Sequence, residues 1–193
     1  MKSLTKRQSE IVKASIELIS EGGIQYFTMK TLAAKLHVTE PAIYRHFSSK
    51  TDIILSMLNI IEEANKQFQK ESEKETPSLA LLEQMFISKA QLFIENPEIS
   101  SIVFSEEIFQ NNKTFSNRVL QIMTQMNQLT RIVIEKIQQK GEVRRDISAE
   151  QLTYIIIGSL RFTIVRWKLA GFQFDLESAL KETWAALQTL LIG

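Results

Sequence analysis

The sequence predicts an all-α protein of about nine helices, and three observations support this prediction. Only six glycines and three prolines interrupt 193 residues, and they fall between segments with helical periodicity. Apolar side chains recur every three or four residues, and no segment alternates polar and apolar residues with the period of a strand. Hydrophobic residues make up 44 % of the chain, enough to fold around a core.

Capping residues and helix breakers set the expected helix boundaries. Thr5 and Gln8 form a capping box before the first helix, which is expected to end at Gly22-Gly23. Two prolines delimit the fifth helix: one lies in its first turn and the other lies just after its expected end. With approximate ends, the expected helices are Lys6–Glu21, Thr28–Leu36, Glu40–Phe47, Ser49–Ser72, Thr76–Asn96, Glu98–Phe109, Lys113–Lys140, Ile147–Ala170 and Asp175–Ile192.

The second and third expected helices have the spacing of a helix-turn-helix. Leu32 and Ala33 belong to its first helix, and Ile43 and Phe47 share the inner face of its second. The turn position carries His37, where glycine is usual because a positive φ costs glycine nothing. Histidine tolerates a positive φ better than most residues, so a slightly strained turn is expected. We interpret His37 as a turn residue rather than a DNA contact.

The outward face of the third helix has the chemistry of a DNA-binding surface. Thr39 can cap the helix beside a phosphate, and Arg45 is able to recognise guanine with two hydrogen bonds. Pro41 and Ala42 are small enough to approach a thymine methyl group, and Glu40 could accept from cytosine or complement the helix dipole. Tyr44, His46, Lys50 and Thr28 have the groups and the positions to bind phosphates, although each alone could be a solvated surface residue.

Charge is distributed unevenly along the chain. Residues 1–51 hold eight Lys and Arg against four Glu, a net charge of +4, whereas residues 52–193 carry a net charge of −3. A basic N-terminal segment favours a polyanion such as DNA as its partner. Because chance could produce the same imbalance, the helix-turn-helix spacing carries more weight.

The segment TMKTLAAKLHVTEPAIYRHFSSKTDI, residues 28–53, closely resembles the N-terminal signature of the TetR/AcrR family of bacterial transcriptional regulators. The resemblance covers roughly the first 55 residues. His37 in place of the turn glycine is the main departure, and it affects the local turn geometry. The matching residues are Thr28, Leu32-Ala33, Val38-Thr39, Tyr44, His46-Phe47 and Lys50.

The resemblance implies a division of labour between two parts of the chain. Residues 1–49 would form the helix-turn-helix DNA-binding domain, and residues 50–193 a helical effector-binding and dimerisation domain. A homodimer would bind a palindromic operator, act as a repressor, and be released by a small molecule. Carried over by position, Thr28, Thr39, Tyr44, His46 and Lys50 would contact phosphates, and Glu40, Pro41, Ala42 and Arg45 would face bases.

The C-terminal part is rich in large apolar side chains, which form either core or the walls of a ligand pocket. No charged cluster points to a metal or a strongly anionic ligand, and no cofactor is expected. We therefore expect an apolar or aromatic effector. The candidate pocket residues are Phe68, Phe86, Phe93, Phe104, Met123, Met126 and Phe162.

The last two expected helices are more apolar than a single inner face requires. Gly158 and Ser159 would permit another helix to approach closely. We expect a four-helix dimer interface, which would supply the two-fold axis that a palindrome requires. Its candidate residues are Ile156, Leu160, Ile164, Trp167, Leu180, Trp184 and Leu187.

Other functions have less support in the sequence. An enzyme is not expected, because the chain has no cysteine and no glycine-rich phosphate loop, and its two histidines lie in the helix-turn-helix. The N-terminus lacks the apolar stretch of a signal peptide and no apolar run is long enough for a spanning helix, so a cytoplasmic protein is expected. The alternative is a DNA-binding architectural or protein-recruiting member without a small-molecule effector.

Overall fold

The computed structural model describes residues 4–72, 74–104 and 113–193, except for the side chains of residues 64, 65, 67–69, 71 and 72. Within these ranges the chain forms nine α-helices and no β-strand, which confirms the all-α prediction. The helices are α1 (Lys6–Tyr26), α2 (Met29–Lys35), α3 (Glu40–Tyr44), α4 (Lys50–Ser72), α5 (Leu79–Glu95), α6 (Ser100–Val103), α7 (Lys113–Lys140), α8 (Ala149–Leu169) and α9 (Leu176–Ile192).

Two compact units make up the chain. The N-terminal unit comprises residues 1–63 and 98–119, and the C-terminal unit comprises residues 64–97 and 120–193. None of the helices in the described ranges has the length and apolar character to cross a bilayer. The division into a DNA-binding domain of residues 1–49 and an effector-binding domain of residues 50–193 stays a prediction.

The first helix of the N-terminal unit begins as the sequence predicts but extends further. Gln8 donates its N–H to the Thr5 hydroxyl over 3.2 Å, and the Gln8 side chain accepts the Thr5 N–H over 3.0 Å, so the capping box is confirmed. The break expected at the glycine pair is a kink at Gly23, where φ is 73°. One further turn follows, so α1 ends at Tyr26 instead of Glu21.

The interior of the N-terminal unit lies where α1 packs against α2 and α6, and α2 against α3. Ile11, Leu18 and Ile19 of α1 are buried there, as their periodicity predicts. The sixth helix was expected at Glu98–Phe109. A 3-10 turn at Pro97–Ile99 leads into α6, and the predicted helix over residues 105–109 lies outside the described residues.

The interior of the C-terminal unit lies between α5, α8 and α9. The predicted start of α5 at Thr76-Pro77 was early, because the Ser78 hydroxyl accepts the Leu81 N–H over 3.1 Å and fixes the first helical residue as Leu79. The helix ends before Asn96-Pro97, as predicted. The last two helices are capped by Ser148 and Asp175, within two residues of their predicted starts.

Candidate nucleic-acid interface

The inner faces of α2 and α3 hold the helix pair together. Leu32 and Ile43 are 0 % and 1 % exposed, and Ala33 and Phe47 are also buried. These are the residues whose spacing predicted a helix-turn-helix, and α2 packs against α3 as that motif requires. The predicted burial of the inner faces of the two helices is therefore confirmed.

The turn between the two helices is a Schellman motif with histidine at the left-handed position. His37 has a φ of 54°. Its N–H donates to the Ala34 carbonyl over 3.1 Å, and the Val38 N–H donates to the Ala33 carbonyl over 3.0 Å. The two bonds satisfy carbonyls at the end of α2, which is why the chain tolerates a residue other than glycine at positive φ. The strained turn predicted for His37 is confirmed.

The third helix is shorter than its sequence pattern predicts. α3 ends at Tyr44, and Arg45 is its C-cap. The Phe47 N–H still donates to the Ile43 carbonyl over 3.1 Å, while the His46 N–H donates to the same carbonyl over 2.8 Å. The chain therefore continues in a tightened turn that keeps Phe47 buried, although its residues are not helical.

The outward side of α3 is accessible along its length. Glu40, Pro41 and Arg45 are exposed, and Tyr44 exposes 48 % of its surface. Ala42 and His46 are half-buried. A proline and an alanine without long side chains allow the backbone of α3 to approach a partner closely, with the longer Tyr44 and Arg45 beside them. This surface suits the major groove of DNA, which admits one α-helix.

The two threonines that precede α2 and α3 use their hydroxyls differently. The Thr28 hydroxyl accepts the Thr31 N–H over 3.0 Å and completes a capping box with Thr31. Thr39 is the N-cap of α3, yet its side chain makes no capping hydrogen bond. The Thr39 hydroxyl therefore makes no capping hydrogen bond, although its position suggests one, and it can donate a hydrogen bond to a phosphate.

Lys50 lies in the first turn of α4, where its charge opposes the helix dipole. Its ammonium lies 3.4 Å from the Ile24 carbonyl oxygen and 5.0 Å from the centre of the Phe27 ring. Burial lowers the Lys50 pKa from its ordinary value. The carbonyl and the ring hold the side chain at the end of α1. Because no carboxylate in the described part of the chain pairs with this ammonium, it can attract a phosphate.

Two contacts outside the motif hold it against α1. The Gln8 side chain donates to the His46 carbonyl over 3.1 Å. Lys35 pairs with Glu21 at 2.8 Å and Glu17 at 3.2 Å, and the hydrogen bond to Glu21 raises the Lys35 pKa. Lys35 therefore positions α2 instead of adding free positive charge. The sequence analysis did not identify Gln8 in this role, because a hydrogen bond across 38 positions leaves no local pattern.

The predicted pocket residues occupy different environments. Phe86 and Phe93 are buried in α5, whereas Met123 and Phe162 expose 41 % and 64 % of their surfaces. Met126 and Phe104 are half-buried, and the Phe68 side chain lies outside the described residues. The pocket that these residues were expected to form stays a prediction.

The residues predicted to form the dimer interface lie inside the C-terminal unit. All seven are between 0 % and 6 % exposed in the single chain, because their faces of α8 and α9 pack against each other and α5: Ile156, Leu160, Ile164, Trp167, Leu180, Trp184 and Leu187. A partner subunit cannot reach side chains that are already covered. The periodicity was correct, but the predicted residues lie on the wrong face of these helices.

The opposite face of α8 carries an exposed apolar stripe. Ile155, Phe162 and Leu169 follow one another at intervals of seven residues and expose 45 %, 64 % and 81 % of their surfaces. Gly158 lies on the same face, and a Cβ added there would meet nothing within 4 Å. This α8 stripe is the face of the helix pair that another helix could cover.

An open groove lies between α7 and α8 of the C-terminal unit. Its volume is about 310 Å³, and it is lined by polar residues of both helices, among them Gln128, Arg131 and Tyr154. The Tyr154 hydroxyl donates to Glu150 over 2.9 Å, and Arg131 pairs with Glu135 at 3.3 Å. Among the described residues, no group of three His, Asp or Glu side chains could hold a metal ion.

The buried helix-turn-helix, its accessible outer helix and the cation at Lys50 define a class of protein: an all-helical DNA-binding transcriptional regulator. Residues 11–57 match the family described as bacterial regulatory proteins, tetR family. Residues 55–191 match the C-terminal region of YsiA-like proteins. The chain belongs to the TetR family of bacterial regulatory proteins.

Relatives and a solved structure extend the similarity over nearly the whole chain. The Fatty acid metabolism regulator protein of Bacillus subtilis (strain 168) is 25 % identical over 180 residues, which cover 91 % of each chain. The nucleoid occlusion factor SlmA of Vibrio vulnificus (strain YJ016) is 28 % identical over 194 residues, covering 95 % of this chain and 94 % of SlmA. The transcriptional regulator FadR from Bacillus subtilis, solved in complex with stearoyl-CoA, has a TM-score of 0.77 at 19 % identity and covers 97 % of this chain and 100 % of that chain.

Proposed function

We propose that the protein is an effector-responsive repressor that binds a palindromic operator as a homodimer. The observation that carries the proposal is the outward side of α3, which joins small residues to an exposed Tyr44 and Arg45. The Lys50 ammonium, held near the end of α1 in the same unit, adds a positive charge. Residues 1–49 form the DNA-binding domain, with Lys50 directly after it, and residues 50–193 form the effector-binding and dimerisation domain. Such a regulator works on the chromosome, in the cytoplasm.

Contacts with DNA divide into two groups. Thr28, Thr39, Tyr44, His46 and Lys50 bind phosphates and set the register of the protein on the duplex. Arg45 recognises a base in the major groove, with Glu40, Pro41 and Ala42 completing the surface that faces the base edges. The exposure of Arg45 and the free hydroxyl of Thr39 support this division.

Dimerisation follows from the α8 stripe rather than from the seven buried residues. Ile155, Phe162 and Leu169 have the spacing of a helix seam and no covering element within their own unit. Pairing this face with the same face of a second chain gives an interface with two-fold symmetry, which suits a palindromic operator.

The effector is a small molecule with a long apolar body, and we propose an acyl compound. The interior of the C-terminal unit is lined by apolar side chains, including the buried Met85, Phe86 and Phe93 of α5. A relative is named as a fatty acid metabolism regulator, and a protein of the same fold has been solved with stearoyl-CoA. Ligand pockets between helices are typically apolar in this way.

The DNA-binding proposal can be tested with three variants and an operator that is first selected from random DNA. Affinity should fall steeply with salt, because several phosphates are neutralised. Arg45→Ala should cost roughly 1–3 kcal/mol and relax the preference at one base pair, whereas Lys50→Ala should weaken binding to all sequences alike. Lys136→Ala, an exposed lysine of α7, is the control and should leave binding unchanged. Fluorescence anisotropy with operator and scrambled duplexes measures all of these.

Unchanged sequence preference in Arg45→Ala would show that this residue does not read a base. A loss in Lys136→Ala as large as that in Lys50→Ala would mean that the effect comes from net charge and not from a phosphate contact.

A second function has its own support in the similarity to SlmA, a nucleoid occlusion factor. A protein of that kind would bind DNA and recruit another protein without responding to a small molecule. Adding acyl compounds distinguishes the two functions, because they would release an effector-responsive repressor from DNA but leave the DNA complex of a protein-recruiting factor intact.

A further inference from the structure

The buried face of α5 carries one ionisable side chain among apolar ones. Lys89 follows Met85 and Phe86 by one helical turn and precedes Phe93 by another, so all four share a face. The Lys89 ammonium donates to the Thr130 hydroxyl of α7 over 2.8 Å. Among the described residues no carboxylate pairs with it. A neutral hydroxyl therefore stands where a buried cation would need an anion.

Lys89 differs from its apolar neighbours on α5 in its burial. Burial alone lowers its pKa to about 8, which indicates that the ammonium lies deep among protein atoms. Yet the residue is only half-buried by accessible surface. A small molecule that approaches the accessible part of Lys89 can therefore meet a positive charge on an otherwise apolar face.

A buried donor without an acceptor among the described residues lies close to the same face. The Trp184 indole of α9 is 2 % exposed, and its Nε1–H has no hydrogen-bond partner among the described residues. Its ring lies 5.5 Å from the ring of Phe86, one turn before Lys89 on α5. Buried indole N–H groups ordinarily find an acceptor, so one that lacks it points to an acceptor that the chain does not itself supply.

We propose that Lys89, with Trp184 as a second donor, binds the oxygen-bearing head group of the effector. The apolar side chains around Lys89 would hold the acyl chain, and the ammonium would bind a carboxylate or thioester oxygen. This inference rests on the proposed function and adds a polar anchor to an effector expected to be apolar. A charge-assisted hydrogen bond inside a low-dielectric interior gives such an anchor both strength and direction.

The experiment compares binding of three probes with the same chain and different heads. Tetradecanoic acid and tetradecanoyl-CoA carry the two possible oxygen acceptors, and tetradecan-1-ol carries neither charge nor carbonyl. Equilibrium dialysis of the full chain gives each Kd. Lys89→Met should weaken binding of at least one of the first two probes by roughly tenfold or more and leave the alcohol within about twofold. The probe that is lost identifies the head group.

Four further measurements make the result specific. Trp184→Phe keeps the ring, and it should weaken the same probe by roughly threefold. Lys89→Gln keeps a donor toward Thr130 without the charge, and it should behave like Lys89→Met. Lys136→Met is the matched control and should bind all probes as wild type does. Operator binding by each variant shows that it is folded.

Equal affinity of Lys89→Met and wild type for the acid and the CoA ester would overturn the inference, as would an equal loss for the alcohol. In both cases the proposed acyl effector would stand. If wild type binds none of the three probes, the acyl effector and its head-group site both fail.

Discussion

At the scale of single residues, the clearest contrast is between Thr28 and Thr39. Both precede a helix of the motif, and both match the family signature. Only the Thr28 hydroxyl accepts a capping hydrogen bond, which the Thr31 N–H donates. Thr39 makes none. Sequence position alone could not separate these roles, because both residues satisfy the same capping rule.

This contrast predicts that two equivalent substitutions affect stability differently. Thr28→Ala should lower the free energy of unfolding by about 1 kcal/mol, because it removes a cap. Thr39→Ala should change it by less than about 0.5 kcal/mol and still weaken operator binding about fivefold, because it removes a phosphate contact. Urea unfolding and anisotropy measure the two quantities. A Thr39→Ala protein with wild-type affinity would remove Thr39 from the interface.

The pKa of Lys89 predicts a dependence of stability on pH. Its folded pKa is about 8 and its ordinary value is 10.5, so between these values the unfolded chain holds a proton that the folded chain has lost. Stability contributed by this residue therefore rises with pH through that window, and the full penalty of the buried charge applies below it.

Lys89→Met should accordingly be more stable than wild type by a wider margin at about pH 7.5 than at about pH 9.5. Urea unfolding of both proteins at the two pH values tests this, and the comparison cancels groups common to both. The same margin at both values would mean that burial does not shift the Lys89 pKa.

The sequence predicted the role of His37 but not that of Lys89. His37 could be assigned to a left-handed turn, because one residue type at one position of a known motif carries that information. Lys89 escaped attention although its position on the apolar face of α5 was visible. A lysine is ordinarily a solvated residue, and only its packing shows that it faces inward.

At the scale of elements, the local patterns predicted most helix boundaries to within a few residues. The exceptions have local causes. Ser78 caps α5 by accepting the Leu81 N–H, so the helix begins at Leu79 and not at Thr76-Pro77. α3 stops at Tyr44 while Phe47 still reaches the interior through a tightened turn. Periodicity placed Phe47 correctly, but it does not distinguish a helix from such a turn.

The periodicity of α8 did not predict which of its apolar faces the chain covers itself. Because this helix is apolar on more than one side, the sequence predicted two buried surfaces without saying which one the chain covers itself. The residues first assigned to the dimer, such as Ile156 and Trp167, are the ones that the chain buries. Ile155, Phe162 and Leu169 stay exposed, and we propose that a partner subunit covers them.

Phe162→Glu should therefore convert a dimer into a monomer at micromolar concentration, because it places a charge in the centre of the α8 stripe. Leu120→Glu is a matched control, since both side chains expose 64 % of their surfaces. Sedimentation equilibrium gives the mass of each protein. A monomeric wild type would contradict the dimer itself, and a dimeric Phe162→Glu would contradict the assignment of its interface.

At the scale of the whole molecule, family membership joins a DNA-binding motif to a C-terminal region with an interior of its own. The motif was predictable in detail because its geometry depends on a short run of sequence. The effector was not, because core and pocket are lined by the same residue types. Relatives that include a fatty acid metabolism regulator and a nucleoid occlusion factor leave that question to experiment.

The most direct test of the central claim is the affinity of the protein for its operator in the presence and absence of an acyl compound. The duplex is first obtained by selection from random DNA, and tetradecanoyl-CoA and tetradecanoic acid are then titrated into the complex at constant ionic strength. We expect selection to enrich a palindrome and one of the two compounds to weaken its binding by at least about tenfold, a coupling of about 1.4 kcal/mol. Selection that enriches no sequence, or an operator complex that neither compound weakens, would contradict the account.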